Sequence, residues 1–305
     1  MIDEILKVLP NYISNEIIKL NCSQNITEIR LRTKCKIIIV CGKNEIILDC
    51  IVTPKIILEI LLNVSKNSIY AIQNDINNGF VVIRGGHRIG ISGEVVYVEG
   101  NIKNIKNICS LNIRVSRQIY GCADCILPKL IAGNDFLNTL IVSPPGCGKT
   151  TLIRDIVRQL SNGIPSLNFR GKNVALIDER GEIASVYEGV ASLDVGIRTD
   201  IMSNVNKATG MKMMIRSMAP DIIATDEIGK KEDITAIKEA ILSGVRVIFT
   251  MHGDSIKSIL KNENIKELLD LNIFSKIVIL SNGKIPGIIE KVYDTEKLGG
   301  AAWYL

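Results

Sequence analysis

The chain has 305 residues, of which 47% are apolar, and its formal net charge is +5. This length and apolar fraction are enough to fill two cores of ordinary size, so they exclude a disordered chain. Basic and acidic residues alternate along the sequence, and neither a dense basic run nor an abundance of aromatic residues indicates a surface for nucleic acid. We therefore expect a folded protein with two domains, and nucleic acid is not expected as a partner.

The sequence contains no uninterrupted apolar stretch of the roughly 18 residues that a membrane span requires. The most apolar candidate, residues 46–64, is interrupted by Asp49, Pro54 and Glu59. The N-terminus lacks the basic start and the small-residue cleavage site of a signal peptide. We therefore expect a cytoplasmic protein without a membrane span, located in solution or at the periphery of a membrane complex.

The first 118 residues are predicted to form a small α+β domain of short strands and one helix. The predicted strands are Ile29–Arg32, Lys36–Cys41, Phe80–Ile83, Ile89–Ile91 and Val95–Val98. The helix is predicted over Thr53–Asn63, because Thr-Pro precedes apolar residues at helical spacing. Gly85 and Gly86 predict a tight hairpin between two of the strands, and a turn is predicted at residues 99–101.

From about residue 119 onward, apolar runs alternate with helical patterns. The predicted strands are Thr139–Val142, Val174–Ile177, Ile222–Thr225, Val245–Thr250 and Ile277–Leu280. Continuous apolar runs are typical of strands that are buried on both faces of a parallel sheet. The sequence therefore predicts a doubly wound α/β domain over residues 119–305, after an N-terminal domain over residues 1–118.

Eight cysteines are spread along the chain without the repeated spacing of a disulfide framework, so we expect reduced, buried thiols. Cys122 and Cys125 form the one pair at a metal or redox spacing. No second pair or nearby histidine completes a site, and a structural role is favoured for both.

Residues 143–151, Ser-Pro-Pro-Gly-Cys-Gly-Lys-Thr-Thr, follow an apolar strand and precede an amphipathic helix. They match the P-loop pattern G-x-x-x-x-G-K-[ST] except that Ser143 replaces the first glycine. Because this position ends the strand and the phosphate cradle is formed by residues 145–150, a small serine should fit. The residues predicted to bind ATP are Pro145, Gly146, Cys147, Gly148, Lys149, Thr150 and Thr151.

The chemistry of a P-loop assigns a role to each side chain at the start of the helix. Lys149 should reach the β- and γ-phosphates, Thr150 should ligate Mg²⁺ through its hydroxyl, and Thr151 should assist at the α-phosphate. ATP as substrate and Mg²⁺ as cofactor are therefore predicted.

Polar side chains follow three other predicted strands at their carboxyl ends, which is the edge where open α/β sheets bind ligands. Asp178-Glu179 and Asp226-Glu227 end two of them, and His252 follows a third. We assign Asp226 to a water-mediated magnesium shell and Glu227 to the activation of water. His252 is placed to sense the γ-phosphate or its bound water.

Two alternatives remain open for the first acidic pair. Glu179 and Glu182 are rivals of Glu227 for the activation of water. Alternatively, Asp178 and Glu179 have a structural role, either in an ion pair with Arg180 or as the cap of a turn.

Further sequence blocks accompany the P-loop in a fixed order. They are Arg84–Gly90, Ser110–Arg114, Asp178–Ile183, Asp194–Asp200, Met214–Asp221 and Asp226–Gly229. Together these segments resemble the stage III sporulation protein AA family, and more distantly the hexameric ATPases of type II and type IV secretion and pilus retraction. The resemblance covers nearly the whole chain and implies a RecA-like P-loop NTPase domain.

The resemblance also implies roles for individual residues. Asp178–Glu182 correspond to the acidic box of the secretion ATPases, Asp226–Glu227 to their Walker B segment and His252 to their histidine box. In such oligomers, arginines of one subunit complete the ATP site of the neighbour. Arg84 and Arg88 are our candidates, because the Gly-Gly hairpin tip would project them across an interface; alternatively, they are solvated turn residues.

The function implied by these observations is an oligomeric, ATP-hydrolysing motor, such as a hexamer, that energises a secretion-like membrane channel during endospore formation. Its partners would be copies of itself and the membrane proteins of that channel. Two other functions are considered: a nucleic-acid-stimulated ATPase, and a nucleotide-gated assembly scaffold with little turnover.

Overall fold

A computed structural model of the chain describes residues 2–20, 25–98, 100–283 and 286–295. The predicted turn at residues 99–101 includes Glu99, which lies outside the described residues, as does Cys22. The chain divides into two compact units. One comprises Met1–Arg117 with Tyr187–Ser192, and the other comprises Gln118–Val186 with Leu193–Leu305.

The N-terminal unit contains an antiparallel sheet and short helices. Its strands are β1 (Ile26–Arg32), β2 (Lys36–Cys41), β3 (Asn44–Ile51), β4 (Phe80–Ile83), β5 (His87–Val98) and β6 (Asn101–Arg114). Its helices are α1 (Ile2–Val8), α2 (Asn11–Ile18), α3 (Pro54–Val64) and α4 (Gln73–Asn77). The six strands are hydrogen-bonded in the order β3-β2-β1-β6-β5-β4, and each neighbouring pair is antiparallel.

The prediction of a single helix in this unit is wrong, since α1, α2 and α4 accompany α3. Ile5 of α1 and Ile13 of α2 are buried in the core, but these helices are only 7 and 8 residues long. Such short segments give no clear helical period. Helix α3 begins as predicted, with Pro54 in its first turn and the N–H of Ile56 donating to Thr53 Oγ1 at 3.3 Å.

Alternation along β1, β5 and β6 separates the core of this unit from its outer face. The buried apolar residues of these strands include Ile29, Leu31, Ile89, Ile91, Leu111 and Ile113. On the outer face, two rows of residues lie side by side across β1, β6 and β5. One row is Arg30, Asn112 and Gly90, and the other is Glu28, Arg114 and Arg88. The segments predicted as separate strands at Ile89–Ile91 and Val95–Val98 form one strand, β5, and the length of its partner β6 was not predicted.

The C-terminal unit is the doubly wound α/β domain predicted from the sequence. Its main strands are β9 (Thr139–Ser143), β10 (Val174–Asp178), β13 (Thr199–Ser203), β14 (Ile222–Glu227), β15 (Arg246–His252), β16 (Lys276–Leu280) and β17 (Ile289–Asp294). It also contains a short hairpin of β7 (Ile131–Ala132) with β8 (Asp135–Phe136), whereas the hairpin of β11 (Val186–Tyr187) with β12 (Val190–Ala191) falls almost wholly in the Tyr187–Ser192 segment of the N-terminal unit. The helices are α5 (Leu127–Leu130), α6 (Lys149–Asn162), α7 (Lys207–Met218), α8 (Lys231–Leu242), α9 (Ile256–Leu260) and α10 (Glu263–Asp270).

The order of the strands determines which side chains meet at the edge of the sheet. The seven strands are ordered β13-β10-β14-β15-β9-β16-β17, and neighbours are parallel except for β16 and β17. Strand β15 therefore lies between β9 and β14. The carboxyl ends of β9, β15, β14 and β10 follow one another along a single edge, where ligands bind in sheets of this kind.

The described cysteines are not uniformly buried. Cys41 and Cys147 are buried, whereas Cys35, Cys109 and Cys125 are exposed, so the expectation of buried thiols is wrong for these three. Cys35 lies in the turn between β1 and β2. None of the described helices combines the length and the apolar character needed to cross a membrane.

Candidate nucleotide site

The phosphate loop lies between the end of β9 at Ser143 and the start of α6 at Lys149. Gly146 and Gly148 have φ values of +76° and +89°, in the left-handed region that glycine adopts without strain. Gly148 is the N-cap residue of α6 and supplies no side-chain acceptor. The first N–H groups of the helix are therefore uncapped by a side chain, and an uncapped helix N-terminus is able to bind an anion.

A second segment packs against this loop and was not predicted. The N–H of Gly287 donates to the carbonyl oxygen of Cys147 at 2.8 Å. A Cβ at Gly148 would lie 2.8 Å from the Gly287 nitrogen, so the close approach requires glycine at position 148. The Cys147 side chain is buried, with Sγ 3.8 Å from Oδ1 of Asn282. Cys147 thus contributes packing through its side chain.

The Lys149 side chain is folded back onto the end of β9. Its Nζ donates to the carbonyl oxygens of Ser143 and Pro144 at 2.8 and 3.1 Å, and it lies 3.3 Å from Ser143 Oγ. The residue is only 9% exposed. Burial lowers the pKa of Lys149, although the charge of Glu227 acts in the opposite direction.

His252 connects Lys149 to Glu227. Its Nδ1 lies 3.0 Å from Lys149 Nζ, and its Nε2 lies 3.2 Å from Glu227 Oε2. Because a carboxylate only accepts and an ammonium only donates, these partners fit a neutral imidazole that is protonated on Nε2. The contacts therefore join the ends of β9, β15 and β14 in one polar chain. This result depends on β15 extending to His252, two residues beyond the predicted strand.

The neighbouring acids are held by a lysine that sequence reasoning missed. Lys207, the first residue of α7, lies with Nζ 2.8 Å from Glu179 Oε2 and 3.1 Å from Asp226 Oδ1. The same Nζ donates to the carbonyl oxygen of Glu227 at 2.7 Å. Two of the predicted acids and the backbone carbonyl of a third therefore converge on one ammonium group.

The pKa shifts of this cluster follow from burial and ion pairing. Burial acts to lower the pKa of Lys207, but the hydrogen bonds and charges of its two acids outweigh it and raise that pKa. Burial also acts to raise the pKa of Glu179, yet Lys207 brings it below its ordinary value. For Asp226, burial prevails and raises the pKa although Lys207 opposes it. Asp226 is thus the acid with the larger desolvation cost.

Asp178 has the structural role that was left open as an alternative. Its carboxylate accepts hydrogen bonds from the backbone N–H groups of Glu182, Ile183, Ala184 and Ser185 at 2.8–3.4 Å. The residue is completely buried, and these hydrogen bonds cap the turn that follows β10. Glu179 takes part in an ion pair, but with Lys207 and not with Arg180 as the alternative proposed.

Another buried side chain fixes the same turn from α6. Arg154 donates through Nε to the carbonyl oxygen of Ile183 at 2.5 Å and through a terminal nitrogen to that of Glu182 at 2.7 Å. Burial lowers the pKa of Arg154, and the nearby charge of Asp178 opposes this shift. The turn after β10 is therefore attached to the helix that follows the phosphate loop.

The chemistry of the donors limits which metal fits. Within the described residues, no group of three or more His, Cys, Asp or Glu side chains is arranged to hold a metal ion. Asp226 and the hydroxyl of Thr150, which is half-buried in the first turn of α6, offer oxygen ligands only. This set suits Mg²⁺, which keeps several waters and takes phosphate oxygens of its nucleotide. A cleft of about 230 Å³ opens beside Glu179, Lys207 and Glu227.

The two predicted arginines lie in the N-terminal unit. Arg84 is exposed in the turn between β4 and β5, as the Gly-Gly pattern indicated. The placement of Arg88 at the hairpin tip is wrong, because it lies within β5 and stacks on Phe80, with its guanidinium carbon 3.5 Å from the ring centre. His87 between them is buried, with Nδ1 accepting from the N–H of Ser116 at 3.1 Å.

Cys122 and Cys125 belong to a segment that is anchored on α6. The N–H of Ala123 donates to Asp155 Oδ2 at 2.9 Å, and the thiol of Cys122 lies 3.6 Å from the carbonyl oxygen of Thr151. Burial, with a contribution from Asp155, raises the pKa of Cys122 to about 12. A thiol of this kind is a poor nucleophile and metal ligand, in agreement with a structural role.

Solved structures with similar folds include the ATPase DotB and a pilus retraction motor. The alignment with the ATPase DotB of Yersinia pseudotuberculosis covers 95% of this chain and 82% of the DotB chain, at 13% identity and a TM-score of 0.64. The pilus retraction motor PilT, solved with bound ADP, aligns with 90% of this chain and 77% of its own, at 17% identity and a TM-score of 0.60. These similarities confirm the predicted fold, a RecA-like domain with a mainly parallel sheet that follows an α+β unit.

Sequence relatives identify the family. The stage III sporulation protein AA of Bacillus subtilis (strain 168) is 37% identical over 296 residues, which are 96% of this chain and 95% of that protein. A family model described as "Sporulation stage III, protein AA" matches residues 2–299. The chain is therefore a member of the stage III sporulation protein AA family.

Proposed function

We propose that this chain is a Mg²⁺-dependent ATPase that binds its nucleotide at the phosphate loop. The observation that supports this most directly is the contact chain from Lys149 through His252 to Glu227, next to the uncapped N-terminus of α6. It brings a lysine ammonium group and a carboxylate to one edge of the sheet. These are the parts that phosphoryl transfer to water requires.

Each side chain has a defined task in this proposal. Lys149 exchanges the carbonyl oxygens of β9 for the phosphates of ATP. Glu227 orients the attacking water and accepts its proton, while Nε2–H of His252 holds the carboxylate in place. Thr150 and Asp226 would hold Mg²⁺, which supplies charge neutralisation at the phosphate oxygens.

The geometry favours Glu227 over Glu179 as the base. Glu179 is held by Lys207 at 2.8 Å, and this ion pair lowers its pKa despite burial. Glu227 instead contacts the imidazole that also contacts Lys149. A carboxylate next to the phosphate-binding lysine is better placed for water attack than one that is engaged in an ion pair.

The proposal extends to an oligomeric motor that drives a secretion-like channel during endospore formation. Its support is membership in a sporulation family and a fold shared with secretion ATPases. Arg84, exposed in its turn, and Arg88, oriented by Phe80, are the proposed donors to the ATP site of a neighbouring subunit. A guanidinium in that position would stabilise charge that develops on the transferred phosphate.

One experiment tests both parts of this proposal. Purified protein is incubated with ATP and Mg²⁺, released phosphate is measured, and particle mass is determined with and without a slowly hydrolysed ATP analogue. We expect phosphate release that falls at least about 100-fold in Lys149→Ala, and a larger particle with the analogue. Lys129→Ala, an exposed lysine of α5, is the control and should keep wild-type activity.

Absence of nucleotide binding would remove the basis of the ATPase proposal. Equal activity in Lys149→Ala and the wild type would do the same. A mass that the analogue leaves unchanged, with hydrolysis intact, would contradict the nucleotide-dependent ring but not the ATPase.

A further inference from the structure

Lys207 is a buried cation that contacts acids from two strands. We infer that Lys207 is a positioning residue, a built-in counter-ion that holds Glu179 and Asp226 together at the ends of β10 and β14 before metal and nucleotide bind. The expected effect of Lys207 on ATP hydrolysis rests on the proposed function. Its structural part stands on the contacts of Lys207 alone.

The contacts leave the ammonium group fully engaged. Lys207 Nζ lies 2.8 Å from Glu179 Oε2, 3.1 Å from Asp226 Oδ1 and 2.7 Å from the carbonyl oxygen of Glu227. An ammonium has three hydrogens, and each has one acceptor here. The Lys207 side chain is 7% exposed, and those of Glu179 and Asp226 are 26% and 13% exposed. The cluster is therefore largely shielded from water.

Removal of the lysine would leave two carboxylates without a counter-ion. Because both contact the same nitrogen, their oxygens are less than about 6 Å apart, where like charges repel strongly in a partly buried site. A divalent cation is the natural substitute for the missing charge, since Mg²⁺ takes carboxylate oxygens as ligands, directly or through the waters that it keeps. The native lysine occupies that role while the nucleotide is absent.

The same contacts fix the position of Glu227. The Lys207 bond to the Glu227 carbonyl oxygen holds the backbone at the end of β14, and the Glu179 pair holds the neighbouring strand end. Lys207 thus acts on the proposed base through the backbone, without touching the substrate. Its loss should lower kcat more than it changes nucleotide affinity.

The first test measures thermal unfolding without nucleotide, in EDTA and in millimolar MgCl₂. We expect Lys207→Met to lower Tm by about 5–10 °C in EDTA, and Mg²⁺ to restore at least about half of the loss. The wild type should change by less than about 1 °C on addition of Mg²⁺. Lys207→Arg, which keeps the charge, should stay close to the wild type in both media.

Lys212 provides the matched control on the same helix. It pairs with Glu239 at 3.1 Å, but both side chains are more than a third exposed. Lys212→Met should therefore change Tm by less than about 2 °C and show no response to Mg²⁺. A Tm loss in Lys207→Met that Mg²⁺ leaves unaltered would overturn the inference, because the lysine would then act through packing alone.

A double variant keeps the inference testable if Lys207→Met does not fold. Removing one acid together with the cation, in Lys207→Met with Glu179→Gln, relieves the repulsion and should give a more stable protein than Lys207→Met alone. A double variant that is no more stable overturns the counter-ion role. These unfolding measurements need no hydrolysis, so they decide the inference even if the wild type proves inactive.

The second test separates positioning from binding in the active enzyme. We expect Lys207→Met to lower kcat at least about tenfold while the dissociation constant of a fluorescent ATP analogue changes less than about threefold. Lys207→Arg should recover most of the kcat. Equal losses in kcat and affinity, with no recovery by arginine, would contradict a positioning role.

Discussion

The ends of β10 and β14 have the same dipeptide, Asp178-Glu179 and Asp226-Glu227, but the two pairs differ in what they bind. After β10 the chain turns back at once, and the turn directs its N–H groups at Asp178. After β14 the N–H groups of Gly229 and Lys230 are bound by Asp233 of α8, at 3.2 and 3.0 Å. The acids of β14 are therefore not used to cap the backbone that follows them.

This comparison shows how one dipeptide serves two purposes. A carboxylate at a strand end becomes structural when the next residues present uncapped N–H groups to it, because burying those groups unpaired is costly. It becomes available for ligands when another residue supplies the cap. The backbone path after the strand, more than the dipeptide itself, decides the role.

We expect the largest effect on the free energy of unfolding from a substitution of Asp178. Asp178→Ala leaves the N–H groups of the 182–185 turn without an acceptor, so we expect the free energy of unfolding to fall by about 3–5 kcal/mol. Asp233→Ala removes only a helix cap and should cost about 1 kcal/mol. Both values are measured by denaturant unfolding with a common m-value. Similar losses in the free energy of unfolding for the two variants would mean that the two caps are equivalent, and would contradict the difference between the acids of β10 and β14.

Much of the fold was predictable because apolar continuity is a strong signal. The strands β9, β10, β14, β15 and β16 are buried runs, and each was predicted within about two residues. Strand β13 was not predicted, since it contains Asp200 and its residues are only half-buried. Helices α1 and α2 were missed because they are short.

The site was predictable where residues belong to a local motif, and less so where partners come from distant segments. Lys149, Asp226 and Glu227 stand at strand or helix ends that the pattern identifies. Lys207 is separated from its acids in sequence, but one signal was present. A lysine at the first position of a helix is disfavoured by the helix dipole, and acidic partners nearby offset this cost.

The two glutamates, Glu227 and Glu179, should differ in how strongly their substitution lowers kcat. We expect Glu227→Gln to lower kcat by about 100-fold, because it removes the proposed base. Glu179→Gln should lower kcat by less than about tenfold, since it removes only a partner of Lys207. Phosphate release at saturating ATP and Mg²⁺ measures both. If the order of the two losses were reversed, Glu179 would be the base and the acidic box would hold the reactive carboxylate.

The smallest effect concerns His252, which lies between the phosphate loop and the β14 acids. Its Nε2 lies 3.2 Å from Glu227 Oε2, so His252→Ala removes the side chain that contacts and would orient the proposed base. We expect kcat to fall about tenfold, with ATP affinity changed less than about threefold. His252→Gln keeps a side-chain N–H donor and should recover part of this loss. An equal loss of kcat in His252→Gln and His252→Ala would contradict this role and would indicate that the imidazole acts through its contact with Lys149. The neighbouring positions of β9 and β15 in the sheet would then matter for phosphate binding more than for the proposed base.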